Sequence, residues 1–360
     1  MVDRETLRNT LNHLLHIPAN EIDLKKLPGD ASNRTYYRLS WEGDHPFHSF
    51  ILMVLADPEE FKASEEAVSD ALPPMTEIPF INIQKHLLGC KVPVPEIVFS
   101  NTAEGWLLLE DLGDIALAER IKDQIQNRPL LLNFYRKAVD ELITLQIEAT
   151  PAPTPPTIAH RRRFDQSLFV WEFDHFIEYG IEKRKGIRLP EKEKSAIRAY
   201  FSDIAFRLAQ LPPVFTHRDY HSRNLMIQSG PAGFKIRVID FQDALMGPSQ
   251  YDLASLLRDS YIDLPEEVID ALISYYIETW EKRTREPVGR ERFRELFDLA
   301  SIQRNLKAAG RFAYIDQVKK NSRFLPYIPP TLAKVKLNLL KNKRLSHLYS
   351  LLIRYVEELR

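Results

Sequence analysis

The stretch from Thr216 to Asp259 constrains this chain more than any other. It reads THRDYHSRNLMIQ, a short turn, and then FKIRVIDFQDALMGPSQYDLASLLRD. His217, Arg218 and Asp219 are followed by Asn224 five residues past the aspartate, and Asp240 closes the β-rich run from Phe234 to Ile239. Any one of these polar residues alone would be an ordinary turn former, since Asp and Asn bond locally to their own backbone. Their joint spacing, with the apolar anchor Leu225-Met226-Ile227 and an intervening strand, points instead to a site. A carboxylate and an amide oxygen suffice for a hard octahedral cation that keeps water and phosphate as its other ligands.

That order resembles a kinase catalytic loop followed by its metal aspartate. Phosphoryl transfer needs little covalent help; the protein supplies a carboxylate to orient the acceptor and oxygens to hold magnesium. Asp219 is expected in the first role, with His217 as a buttress of the loop. Asn224 and Asp240 are expected to hold Mg²⁺, with ATP as the donor.

Composition narrows the setting. At 360 residues the chain can form two lobes. Apolar content of 44% and charged content of 28% are ordinary for a globular protein, and a net charge of -1 makes no case for nucleic acid or an anionic membrane. The single cysteine, Cys90, and an amino terminus charged from its third residue point away from an oxidising compartment. The longest apolar runs, such as Ile51 to Ala56, are strand-sized. A soluble, cytoplasmic, monomeric protein acting on a small molecule is predicted, with no nucleic-acid or membrane partner.

The fold class expected is α+β, a protein-kinase-like arrangement with a small β-rich lobe over residues 1–110 and a larger, mainly helical lobe over 111–360. Leucines at helical spacing predict an opening helix over Glu5 to His16. Ile22 to Leu27 and Thr35 to Trp41 read as strands flanking the turn Pro28 to Asn33. In a kinase such a hairpin covers the ATP phosphates, which makes Gly29, Asp30 and Ser32 candidate nucleotide contacts; a plain structural hairpin is the competing reading. The next strand, FILMVLA from Phe50, lacks the lysine that a kinase places there. Arg34 or Arg38 is the candidate replacement. Phe61 to Ala71 and Pro79 to Leu88 are helix-permissive, and Glu66 and Glu77 are positional candidates for a charge partner. VPVPEIVFS and GWLLLEDLGD read as two more strands, the second leading to a hinge where Glu110 to Leu112 could meet adenine.

Helical patterns follow over Arg120 to Ile147, Phe164 to Tyr179, Lys192 to Leu211, Glu266 to Lys282, Arg290 to Asp316 and Pro329 to Arg360, interrupted by the stiff connector TPAPTPPT. The basic run from His160 to Arg163 reads as a solvated face. Glu172 and Asp174 sit among aromatics that are either core or a wall of the acceptor pocket.

Only eleven residues, Phe241 to Tyr251, separate Asp240 from Asp252, which leaves no room for a protein-substrate platform. The acceptor is therefore expected to be small. The segments GDASNRTYYRL, LLLEDLGD, HRDYHSRNLM, VIDFQDALMGPSQYDLASLLRD and QRNLKAAGRFA resemble the aminoglycoside phosphotransferase and choline kinase-like family. Within it they are most similar to the bacterial cell-wall-recycling anomeric sugar kinases that act on N-acetylmuramate and N-acetylglucosamine. The resemblance implies an alcohol-accepting phosphotransferase in which Asp243 and Asp252 support the site, Asp243 also being a candidate acceptor contact. It further implies that Arg304 could meet a sugar carboxylate bidentately. Phosphorylation of another hydroxyl compound, such as an aminoglycoside, a choline-like alcohol or another hexose, is the alternative within the class. A nucleotide-binding pseudokinase is the alternative outside it.

Overall fold

The computed structural model describes residues 9, 12–14, 17–18, 21–27, 34–43, 47–55, 77–230 and 233–360. The expected turn at 28–33 and the expected helix at 61–71 lie outside them, as does most of the expected opening helix. The chain divides into two compact units, Met1–Ser64 with Val94–Gly113, and Glu65–Pro93 with Asp114–Arg360. The architecture is α+β, with a small unit built on one antiparallel sheet and a larger, mainly helical unit.

The first unit is built on a five-stranded antiparallel sheet in the order β1-β2-β3-β5-β4. Its strands are β1 (Asp23–Lys26), β2 (Thr35–Ser40), β3 (Ser49–Val54), β4 (Ile97–Asn101) and β5 (Trp106–Glu110). Period-two alternation sorts the side chains by face. Leu39, Phe50, Leu52, Trp106 and Leu108 share one face and form a core with Ile17, Ile22 and Trp41. Burying one side chain such as Phe50 or Leu52 contributes about 1.5–3 kcal/mol. On the other face, Arg38 pairs across the sheet with Ile51, and Ile51 with Leu109. The run of buried residues in β5 explains why its sequence, WLLL, does not alternate. No lysine occurs on β3.

In the second unit, α1 (Pro79–Gly89) begins with proline in its first turn and buries Phe80, Ile81, Ile83 and Leu87. Two small sheets carry the functional stretch: β6 (Pro213–Thr216) pairs with β9 (Leu245–Pro248), and β7 (Leu225–Gly230) pairs with β8 (Gly233–Val238). Around them lie α2 (Arg128–Glu148), α3 (Gln166–His175), α4 (Glu191–Ala209), α5 (Ser249–Leu257), α6 (Glu266–Thr284) and α7 (Arg290–Lys319). Helix α2 is capped by the Asn127 side chain, which accepts from the Leu130 N–H at 3.2 Å.

Two expected helices differ in detail. The pattern from Phe164 to Tyr179 passes from α3 into a π-helical segment at Phe176–Lys183. That segment lies against the 30-residue α7, where an added Cβ on Gly310 would stand 2.9 Å from the Phe176 Cα. The closing region divides into α8 (Ile328–Lys341) and α9 (Ser346–Leu352), because Asn342 leaves the helix and its side chain caps the next turn at the Arg344 N–H. Among the described residues no helix is long and apolar enough to cross a membrane.

Candidate active site

Strand β6 ends at Thr216, and the chain enters a loop held from below by α5. The buried carboxylate of Asp252, in the first turn of that helix, accepts the backbone N–H groups of His217 at 2.6 Å and Arg218 at 2.9 Å. Arg218 has φ 76° and Asp240 φ 65°, a left-handed conformation that costs a non-glycine residue about 1–2 kcal/mol. Such outliers persist only where the surroundings overdetermine them. Here they do. The Arg218 guanidinium donates to Glu172 at 3.0 Å and lies 5.2 Å from the centre of the Phe164 ring. Tyr220 donates to the Ala138 carbonyl of α2 at 2.8 Å, and Asp259 accepts the Ser222 N–H at 2.9 Å.

The β7–β8 register brings the two expected metal ligands together. Leu225 pairs with Val238, and the next residue, Ile239, donates its N–H to the Asn224 carbonyl at 3.0 Å. Asn224 and Asp240, sixteen residues apart in the chain, therefore meet, with Nδ2 3.5 Å from Oδ2. The same Nδ2 donates to the Asp219 carbonyl at 2.9 Å. With its amide hydrogens so used, Asn224 has its oxygen left as the ligating end. Asp240 also accepts from Gln242 Nε2 at 2.8 Å, and Phe241 anchors the turn against Phe80 of α1 at 4.8 Å. The donors are one amide and one carboxylate oxygen. Among the described residues no group of three or more His, Cys, Asp or Glu could hold a metal. This set fits a hard cation that takes its remaining ligands from phosphate and water, not a zinc-type centre.

His217 is fully buried, and its Nε2 donates to the Ile239 carbonyl at 2.9 Å. A carbonyl only accepts, so the proton is on Nε2. Burial pushes the imidazole pKa down, with Asp240 and Asp219 opposing. His217 thus ties the Asp219 loop to the residue preceding Asp240. The Asp219 side chain, 38% exposed, faces Lys307 of α7, whose Nζ is 3.3 Å from Oδ1. Burial would raise this carboxyl, but Lys307 first, then His221, Arg304 and Arg218, hold it well below the usual carboxylate range. It is ionised throughout the range in which a kinase works. Burial and the nearby Asp219 push Asp252 up to about 7, against the two N–H groups it accepts.

The other sequence candidates fall in distinct places. Asp243 accepts from Gln242 at 3.3 Å, next to Asp240. Arg304 is buried on α7, bonded to Ser260 Oγ at 3.1 Å and Asn305 Oδ1 at 3.3 Å. Glu172 and Asp174, read from sequence as lying among aromatics that form either core or a pocket wall, are both engaged by the protein. Glu172 accepts from Arg218 and, at 2.7 Å, from Gln303, while Asp174 forms a bidentate pair with Arg198 of α4. In the first unit, Arg38 makes a bidentate pair with Asp111, at 2.6 and 3.0 Å, on the sheet face opposite the core. The Glu110 N–H bonds the Glu96 carbonyl at 2.9 Å, and Leu112 follows with its side chain buried. Arg34 precedes β2 and is half-buried. Gly29, Asp30, Ser32 and Glu66 lie outside the described residues; Glu77 pairs with Lys85.

Asp111, Gln242 and Lys307 lie within segments read as motifs, but the sequence reading gave none of them a role of its own. Of the three, Lys307 had a usable signal: it stands one helical step beyond Arg304, on the same face.

The model of the family described as phosphotransferase enzyme family matches residues 23–287. A relative from Neisseria meningitidis named N-acetylmuramate/N-acetylglucosamine kinase is 30% identical over 347 residues, covering 94% of this chain and 92% of its own. One of the same name from Pseudomonas aeruginosa is 31% identical over 306 residues, covering 83% and 79%. Among solved structures, choline kinase from Cryptosporidium parvum shares the fold with a TM-score of 0.64 at 13% identity, covering 96% of this chain and 97% of its own. The match over the whole functional stretch, from the first strand through α6, identifies the chain as a member of the phosphotransferase enzyme family.

Proposed function

We propose that this protein is an ATP-dependent sugar kinase that phosphorylates the anomeric hydroxyl of an N-acetylated amino sugar, N-acetylmuramate or N-acetylglucosamine, in the recycling of cell-wall material. The observation that carries the reading is the meeting of Asp219, Asn224 and Asp240 around one loop, which gathers two carboxylates and an amide oxygen at one place. The names of the relatives from Neisseria meningitidis and Pseudomonas aeruginosa support the choice of sugar. In this reading the enzyme works in the cytosol, as a monomer.

Asn224 and Asp240 would hold Mg²⁺, which supplies positive charge to the phosphates of the donor. Asp219 accepts the hydrogen bond of the acceptor hydroxyl and aims its oxygen; a loose transition state requires orientation more than full deprotonation. His217 and Asp252 fix the loop so that this carboxylate does not reorient during transfer. Arg38, placed by Asp111 on the sheet face opposite the core, is our candidate for the charge that a strand lysine would carry, with Arg34 as the other candidate. The test is release of ADP by the purified protein with ATP, Mg²⁺ and a panel of sugars. Activity with either amino sugar supports the reading, and ATP binding without turnover of any sugar or alcohol rejects it.

A further inference from the structure

Helix α7 carries Arg304, Lys307 and Arg311 at steps of three and four residues, so the three cations share one face. That face passes the catalytic loop, because Lys307 Nζ lies 3.3 Å from Asp219 Oδ1. Arg304 is only 3% exposed and is met by neutral oxygens, Ser260 Oγ and Asn305 Oδ1. Among the described residues no carboxylate stands within ion-pairing distance of it. A guanidinium withdrawn from water with no carboxylate in direct contact is costly, and an arriving anion offsets that cost. Two turns further on, Arg311 lies 4.9 Å from the centre of the Tyr314 ring. Tyr314 meets Tyr179 edge-on at 4.9 Å, and His175 stacks on Tyr179 at 4.6 Å, which adds an aromatic surface beside the cations. The backbone of the π-helical segment that carries Tyr179 can approach α7 this closely because residue 310 is glycine.

We propose that Lys307, flanked by Arg304 and Arg311, reads a carboxylate on the acceptor, and that it exchanges its contact with Asp219 for that carboxylate when an acidic amino sugar binds. This rests on the amino-sugar reading above. N-acetylmuramate differs from N-acetylglucosamine by a lactyl ether, so the two sugars differ in the charge at issue. With the neutral sugar, Lys307 stays on Asp219 Oδ1 and draws charge from the carboxylate that orients the acceptor hydroxyl. With the acidic sugar it has an alternative partner, and Asp219 is released to the hydroxyl. Cationic alcohols meet like charge on this face and are disfavoured.

The test is the ratio of kcat/KM for N-acetylmuramate to that for N-acetylglucosamine, measured in the wild type, Lys307→Met, Lys307→Arg and Arg311→Met. The expected result is a ratio about tenfold lower in Lys307→Met, the size of one charge-assisted hydrogen bond. Lys307→Arg is expected to keep most of the wild-type ratio, and Arg311→Met to lower it by a smaller factor. Loss of activity on both sugars in equal proportion would mean a purely structural lysine and overturns the inference. So does a wild-type enzyme that uses only the neutral sugar, while the proposed function then stands. If the wild type turns over neither sugar, the proposed function fails and the inference fails with it.

Discussion

Asp252 accepts the backbone N–H of His217 at 2.6 Å from a position thirty-five residues later in the chain. Through this bond and its companion to Arg218, one buried carboxylate holds a loop that carries a left-handed arginine. Asp252→Asn keeps the shape but turns an NH₂ group toward one of the two N–H donors. We expect kcat to fall by about 100-fold, the scale of a lost positioning contact, with the KM for ATP changed much less. Steady-state kinetics with each substrate varied would check this; a loss confined to the ATP KM would contradict it.

Asp219→Ala removes the carboxylate that Lys307 contacts and that we propose orients the acceptor, and leaves Asn224 and Asp240 in place. Turnover should drop by at least about 100-fold. ATP affinity, measured by calorimetry, should stay within a few-fold of the wild type. Near-native turnover would remove Asp219 from the acceptor-orienting role.

Arg38→Met tests the charge placed by Asp111. Its bidentate pair fixes the guanidinium on the face of the sheet away from the core. The expected outcome is a rise of about tenfold in the KM for ATP, as for the loss of one charge-assisted contact, with the acceptor KM little changed. An unaltered ATP KM would leave Arg38 as a structural ion pair.

Gly310→Ala places a methyl group 2.9 Å from the Phe176 Cα and 3.2 Å from its nitrogen, both backbone atoms that cannot rotate away. The π-helical segment and α7 must move apart. Overpacking of this kind costs about 1–3 kcal/mol, which denaturant unfolding will register. Because Lys307 is on the same helix, activity should fall along with stability.

Glu266 gives a pH dependence with a definite sign. The hydrogen bond from buried Arg258 is the largest influence and, with help from Lys341 against some burial, takes its carboxyl from 4.5 down to about 2. A depressed folded value means that the pairing stabilises fully above the unfolded value and is lost as pH falls from about 4.5 toward 2. Glu266→Gln should cost about 1–2 kcal/mol at pH 7, discounted because Glu266 is 42% exposed. The difference between the urea midpoints of wild type and variant should narrow as the pH is lowered from 5 to 3. A constant difference would show that charge is not the cause.

The two-lobe α+β class, the strands of the first sheet and the chemical identity of Asp219, Asn224 and Asp240 were all legible in the sequence. Period-two alternation, apolar runs and residue types at set spacing are local properties, and a chain displays them without folding. Arg304 was legible as a cation, but its burial beside Ser260 and Asn305, with no carboxylate partner among the described residues, was not. Glu172 and Asp174 show the opposite difficulty. They look like site residues among aromatics, yet each is engaged by an arginine distant in sequence, Arg218 or Arg198, and no local pattern announces such a pair.

By itself, then, the sequence determined the kind of chemistry, because residue type and spacing set which oxygens and charges are available. Tertiary structure decided how those groups are used. The β7–β8 register brings Asn224 to Asp240, α5 delivers Asp252 beneath the loop, and α7 sets Lys307 against Asp219. These contacts join residues sixteen to eighty-eight positions apart, and the physical reason they are decided late is that only the packing of whole elements sets such distances.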